Sequence, residues 1–119
     1  MLEVVNLAEK LSRFSDRWSP KLIGELNGQY VKLAKLEGGF HWHAHAREDE
    51  LFLVVRGRLR IELRDGAIEI GPGDLVVVPR NVEHRPVADE PAAALLFERA
   101  GTRNTGDVEH ATLTAPSDT

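Results

Sequence analysis

Apolar residues recur along this chain with two different periods. Near the N-terminus Leu7, Leu11, Phe14 and Trp18 stand at spacings of four, three and four, which is the spacing of one helix face. Asn6 can cap such a helix, with Glu9 three residues on as in a capping box, and Ser19-Pro20 closes it. The stripe predicts an element that packs its apolar face on a sheet or on a second subunit, with no part in chemistry. From Gln29 onward the period shortens. Runs at Tyr30 to Leu36, Phe40 to His45, Leu51 to Val55, Leu59 to Leu63, Ala67 to Ile70, Leu75 to Val78, His84 to Val87 and Ala92 to Phe97 are separated by turn signals. That rhythm predicts an all-β sandwich or barrel behind a short N-terminal helix.

The clearest alternation sets Leu59, Ile61 and Leu63 against Arg58, Arg60, Glu62 and Arg64, so this strand has one dry and one wet side. Asp65-Gly66 reads as a two-residue hairpin turn with positive φ at both residues. Gly71-Pro72-Gly73-Asp74 and Asp89-Glu90-Pro91 read as further turns. The division is therefore a helical segment at 1–28, a β-barrel at 29–100 and a polar tail at 101–119.

Composition narrows the classes. At 119 residues with 42% apolar content the chain supports one core, so a single domain is expected. It contains no cysteine, which excludes disulfides, thiolate metal sites and cysteine nucleophiles, so any metal must be held by nitrogen and oxygen. Fifteen basic residues against 19 acidic ones give a net charge of -4, which offers no broad attraction to nucleic acid or anionic lipid. No apolar run is long enough to cross a bilayer and no signal-like N-terminus is present, so a cytoplasmic location is expected.

One pattern carries chemistry: His43-x-His45-x4-Glu50-x6-Gly57, then Gly73-x5-Pro79-x4-His84. On a strand His43 and His45 share a face, with Glu50 following a short polar connection and His84 delivered by the fold. Neutral imidazole and carboxylate both bind a divalent metal at neutral pH with little proton cost. Iron(II), manganese(II), nickel(II) or zinc suits this donor set. Trp42 and Ala44 point the other way and read as packing residues. His41 shares the face of His43 and could reach the site as a hydrogen-bond donor or general base, but it lies roughly 7 Å from His43 along the strand, which favours a rim position. His110 falls in the polar tail. The cluster Arg56, Arg58, Arg60 and Arg64 marks a solvated or interfacial face.

These residues resemble the two sequence motifs of the small single-domain cupins, among them phosphomannose-isomerase-like members, over about Tyr30 to Phe97. The resemblance implies a double-stranded β-helix, or jelly roll, with His43, His45, Glu50 and His84 as metal ligands inside the barrel. Three positions depart from the pattern. Glu37 stands where the first motif has a glycine, Asn81 where the second has one, and Ala88 where an asparagine often ends it. Asn tolerates positive φ better than other side chains, so the turn at Asn81 should survive.

The resemblance implies a metal-dependent enzyme acting on a small molecule, of oxygenase, isomerase, decarboxylase or lyase type. The alternative is a non-catalytic module that senses or stores a small ligand or the metal. A purely structural metal ranks last, because a barrel of apolar strands does not need one. No catalytic residue is assigned. A homodimer is the expected assembly, again from the resemblance.

Overall fold

The computed structural model describes residues 2–100, and every structural statement below concerns them. The elements in order are α1 (Leu7–Leu11), β1 (Lys21–Leu26), β2 (Gln29–Gly39), β3 (Glu50–Arg56), β4 (Leu59–Leu63), β5 (Gly66–Ile70), β6 (Leu75–Val78) and β7 (His84–Arg99). The chain is all-β with one short helix, and no helix is long and apolar enough to cross a membrane.

The long strand β7 organises the sheet. β2 lies antiparallel along it from Val87 to Arg99, β3 takes its other edge from Ala93 to Phe97, and β4 takes its first turn-side stretch from His84 to Val87. β1 extends the sheet beyond β2, β6 beyond β3 and β5 beyond β4. A strand that changes partners along its length curls the sheet on itself, so one face becomes an interior. Ala34, Leu36, Phe52, Val54, Leu59, Ile61 and Leu96 fill it. Leu59 and Ile61 are 0% and 1% exposed, and such burial stabilises the fold by roughly 1.5–3 kcal/mol per side chain. A second, smaller cluster joins Leu11 of α1 to Leu33 and Ala93 on the outside of the sheet, with Phe14 and Leu95 against it.

Several expectations change. The helix stops after Leu11 instead of reaching Trp18. Asn6 does cap it, accepting from the Glu9 N–H at 2.9 Å, but the Glu9 carboxylate goes to Arg13. Phe14 still packs beside Leu11, whereas Trp18 adopts φ 58° and joins the main core. The segment expected to be helical also contains β1, paired to β2 through Asn27-Gly28, where both residues have positive φ (52° and 75°). That is the two-residue hairpin expected at Asp65-Gly66. There Leu63 pairs with Gly66, and neither Asp65 nor Gly66 has positive φ. Asp89-Glu90-Pro91 is no turn. It is the bulged middle of β7, where the register against β2 jumps from Leu36↔Ala92 to Gly38↔Ala88; proline lacks a ladder N–H and fits such a bulge.

Two motif positions find their physical reason here. Gly57 has φ 77°, and a Cβ on it would meet Pro91 O at 2.7 Å and Ala92 Cα at 2.9 Å. Asn81 has φ 67°, the conformation expected of it.

Candidate metal centre

His43, His45, Glu50 and His84 meet inside the barrel, all four buried, with one potential ligand atom from each lying within 4.8 Å of the others. Glu50 opens β3 opposite Val78 of β6, and His84 opens β7. The two remaining histidines do not sit on a strand. Phe40 to His45 is irregular, and it is held against the start of β7 by Phe40 N–H to Pro86 O at 2.9 Å, by a reciprocal pair between His43 and His84 at 3.0 and 2.9 Å, and by Asn81 N–H to His45 O at 2.8 Å. Asn81, the residue with positive φ in this turn, is thus the one whose N–H ties the turn to His45. The reciprocal pair sets two of the imidazoles opposite each other, with ring centroids 4.3 Å apart.

Backbone carbonyls orient two of these rings. His43 Nδ1 lies 3.1 Å from His41 O and His84 Nδ1 lies 2.9 Å from Val82 O. A carbonyl can only accept, so each Nδ1 carries a proton and Nε2 is the ring nitrogen turned toward the interior. His84 Nε2 and Glu50 Oε1 are fully buried, make no hydrogen bond and lie 3.7 Å apart; His45 Nε2 is 3.4 Å from the same oxygen. With bonds of about 2.1 Å, donors across one ion are up to about 4.2 Å apart, so the group needs to contract by only a few tenths of an ångström to hold one. The donor set and its orphaned atoms fit a divalent metal.

Electrostatics prepares the same state. Burial, helped by the neighbouring His84, pushes His43 down to about 4, so its imidazole is neutral at pH 7. Burial alone would raise Glu50, but the adjacent His45 and His84 outweigh it and hold this carboxyl well below the usual carboxylate range.

A cavity of 20 Å³ opens beside His43 and Glu50, walled by Trp18, Phe40, Phe52 and Leu96 among others. That is room for about one water molecule. His41 does not join the group. Its half-buried ring stacks on Phe40 at 4.5 Å, and its carbonyl serves the site. Trp42 packs outside under the Arg64 guanidinium, 3.9 Å from the ring centroid. The arginines on and next to β4 sit on a charged outer face, with Arg60 bound to Asp89 at 2.7 Å and Arg58 to Glu69 at 2.9 Å. His110 lies outside the described residues.

Sequence reading missed a second buried polar pair. Lys32 Nζ is 3.2 Å from Glu98 Oε1, both side chains are closed to solvent, and Glu98 lies beside Glu50. Burial and the Glu50 charge push Glu98 up to about 9 against the pull of Lys32, so Glu98 keeps its proton at neutral pH. The available signal was register: Glu98 opposes Tyr30 and Lys32 opposes Leu96, which makes Lys32 and Glu98 diagonal neighbours on the interior face.

The cupin domain profile matches residues 29–98. A cupin-2 domain protein of Shewanella frigidimarina is 43% identical, with a TM-score of 0.80 over 81% of this chain and 94% of its own. Protein NMB1881 from Neisseria meningitidis is 32% identical, with a TM-score of 0.75 over 82% and 99%. The uncharacterised protein YdbB of Bacillus subtilis (strain 168) is 30% identical over 86 residues, 71% of this chain and 76% of that protein. The profile runs from the start of β2 to Glu98 in β7 and includes all four converging residues, and on that match the chain belongs to the cupin family.

Proposed function

We propose that this chain is a metal-dependent enzyme that acts on a small molecule inside the barrel. The observation that carries the reading is the pair of orphaned atoms, Glu50 Oε1 and His84 Nε2, at the centre of a four-donor group. Buried polar atoms in folded proteins almost always have partners, so a cluster of acceptors without them marks a place for a cation. His43, His45 and His84 would hold it through Nε2 and Glu50 through a carboxylate oxygen, and iron(II), manganese(II), nickel(II) and zinc all suit that set. When bound, the metal supplies Lewis-acid or oxygen-activating chemistry. The chain's own residues do the rest. The carbonyls of His41 and Val82 fix two tautomers, the apolar wall excludes water, and Glu98 holds a proton beside Glu50.

Elemental analysis of the purified protein should find close to one metal per chain, and His43→Ala with His84→Ala should abolish it. Unchanged metal in that variant would sink the site. Turnover of small phenols, thiols or keto acids by the loaded protein supports the enzyme reading; a loaded protein that turns over none of them is the sensor or storage module instead.

We also propose a homodimer through the outer face of the sheet. Cross-strand rows Val77–Leu51–Phe97–Val31 and Leu75–Leu53–Leu95–Leu33 run over β6, β3, β7 and β2, and at the β6 end Leu75 and Val77 are 56% and 49% exposed. The β6 and β3 ends of these rows, beyond the part that α1 already covers at Leu33 and Leu95, are what a second copy can cover. A sedimentation mass equal to the 13.2 kDa chain would refute it.

A further inference from the structure

The wall of the cavity beside His43 and Glu50 limits what can enter. Trp18, Pro20, Phe40, Phe52, Pro86 and Leu96 line it, the other wall residues are aliphatic, and the two metal-site residues are its only polar groups. No hydroxyl, amide or cationic side chain is part of this lining. The cations nearby are engaged elsewhere. Lys35 Nζ donates to Phe14 O at 2.5 Å, Arg17 pairs with Glu37 at 2.5 Å, Arg85 binds Glu62 at 3.0 Å and Phe40 O at 2.8 Å, and Lys32 is held by Glu98 at 3.2 Å. A phosphate or second carboxylate entering here would lose its water and gain no partner. Each unmatched sugar hydroxyl would lower affinity by roughly tenfold. A ring or short aliphatic chain meets only surface that is better off out of water.

At 20 Å³ the cavity admits no organic molecule until part of its wall moves. Most of the wall cannot. Phe52 lies on β3 between β6 and β7, and Leu96 on β7 between β2 and β3. Trp18, Pro20 and Phe40 lie outside any named strand, and of these Trp18 is the one that is only partly buried. Its backbone has φ 58°, a left-handed conformation that is uncommon for a bulky side chain. Its N–H donates to Lys35 O and its indole N–H to Glu37 O, both at 2.9 Å, and the indole stacks on Phe40 with centroids 4.8 Å apart. Backbone strain retained at the mouth of a pocket is where a moving part is expected.

We propose that the ligand of this site is a small uncharged aromatic or aliphatic molecule with one polar atom directed at His43 and Glu50, and that Trp18 swings aside to admit it and then stacks over it. The proposal rests on the four residues forming a metal centre, and it excludes sugar phosphates and dicarboxylates as ligands.

The test uses cobalt(II)-loaded protein carrying Trp42→Phe, which leaves Trp18 as the only tryptophan of the two in the chain. Trp42 lies outside the cavity under Arg64. Phenol, 4-ethylphenol, glucose 6-phosphate and succinate are each titrated while the cobalt visible spectrum and the Trp18 emission are followed. Both phenols should change both signals, at concentrations at least about tenfold below any effect of the two polar compounds. Trp18→Ala should keep cobalt stoichiometry and bind 2-naphthol about tenfold or more tighter than the parent protein, because the bulkier ring no longer has to displace an indole. Glucose 6-phosphate or succinate binding as tightly as phenol overturns the proposal, as does loaded protein whose cobalt spectrum ignores both phenols. A cobalt response with unchanged Trp18 emission overturns the role of Trp18. Protein that takes up no cobalt overturns the metal reading itself, and this proposal falls with it, a result told apart by the metal content measured before any ligand is added.

Discussion

The interior of the barrel holds two glutamates in adjoining regions, and they are in opposite states. Glu50 sits among imidazoles and is ionised; Glu98 sits against Lys32 and keeps its proton up to about pH 9. Burial acts on both in the same direction, so burial does not separate them. The neighbours do. His45 and His84 stabilise the Glu50 charge, and that charge then opposes ionisation of Glu98. The ammonium of Lys32 is not enough to reverse the outcome. Two like carboxyls in contact divide one negative charge unequally, and the split leaves Glu50 in the state a cation would need and Glu98 in the state that holds a proton.

The largest expected effect comes from removing the charge on the ligand side. Glu50→Gln keeps the shape but replaces an anionic oxygen with an amide. Metal affinity should fall more than the roughly 10–100-fold that follows loss of a supporting partner around a metal site, as read by competition with a chelating dye. The same change removes the charge that holds Glu98 high. Glu98 should therefore titrate below about 9 in the variant, though still above an ordinary glutamate because burial persists. Carboxyl-carbon NMR resolves that titration. An unmoved Glu98 would mean that Glu50 is not the cause.

A second, smaller effect lies on the acid side. His43 is neutral in the fold down to about pH 4, whereas the unfolded chain takes up a proton near 6.5. The unfolded state thus binds the extra proton between these values, and the His43 contribution to the stability of the metal-free protein falls as pH drops from about 6.5 to 4. The integrated loss is about 3 kcal/mol for this group. Glu50 adds to the same limb, because its folded value is depressed and its contribution disappears as pH falls below its unfolded 4.5. Glu98 works the other way: its raised value makes stability decline as pH climbs from 4.5 toward 9. Urea midpoints should therefore be nearly level between about pH 4.5 and 6.5, where the His43 and Glu98 slopes oppose each other, and His43→Gln should turn this stretch into a limb that falls from 4.5 upward. A stretch that stays level in that variant would assign the acid loss elsewhere.

The contrast between the glutamates also shows what a sequence can and cannot reveal. The four converging residues were legible because their spacing is fixed by chain geometry that sequence encodes directly: Gly57 where a Cβ would strike Ala92, and Asn81 where positive φ is needed. The strands from β3 to β6 were legible because each is a short apolar run between turn residues. Lys32 and Glu98 were not, since a charge in an alternating strand reads as solvent-facing, and only the register of β2 on β7 turns both inward. The stripe from Leu7 to Trp18 misled for a related reason. Leu11 and Phe14 do share one apolar cluster, but Trp18 reaches the main core through a left-handed backbone that no periodicity announces. Phe40 to His45 looked like a strand because its alternation is real in burial, with His43 and His45 buried and Trp42 and Ala44 only partly so; its backbone partners, however, are three separated contacts with no continuous ladder.

The smallest effect is the sharpest test of the comparison. If Glu98 is protonated at neutral pH, glutamine is nearly its isostere: the amide oxygen still accepts from Lys32, and the amide N–H₂ replaces the acid O–H. Glu98→Gln should then change unfolding free energy at pH 7 by no more than about 1 kcal/mol, within the usual worth of one exchanged hydrogen bond. Were Glu98 ionised and paired with Lys32, the same substitution would strand a buried ammonium and cost about 3–5 kcal/mol. The variant should also lose the decline in stability between pH 4.5 and 9, because the group responsible no longer titrates. Metal content provides the independent check. A neutral Glu98 leaves the ligand charge on Glu50 alone, so Glu98→Gln should bind metal nearly as well as the parent, while Glu50→Gln should not.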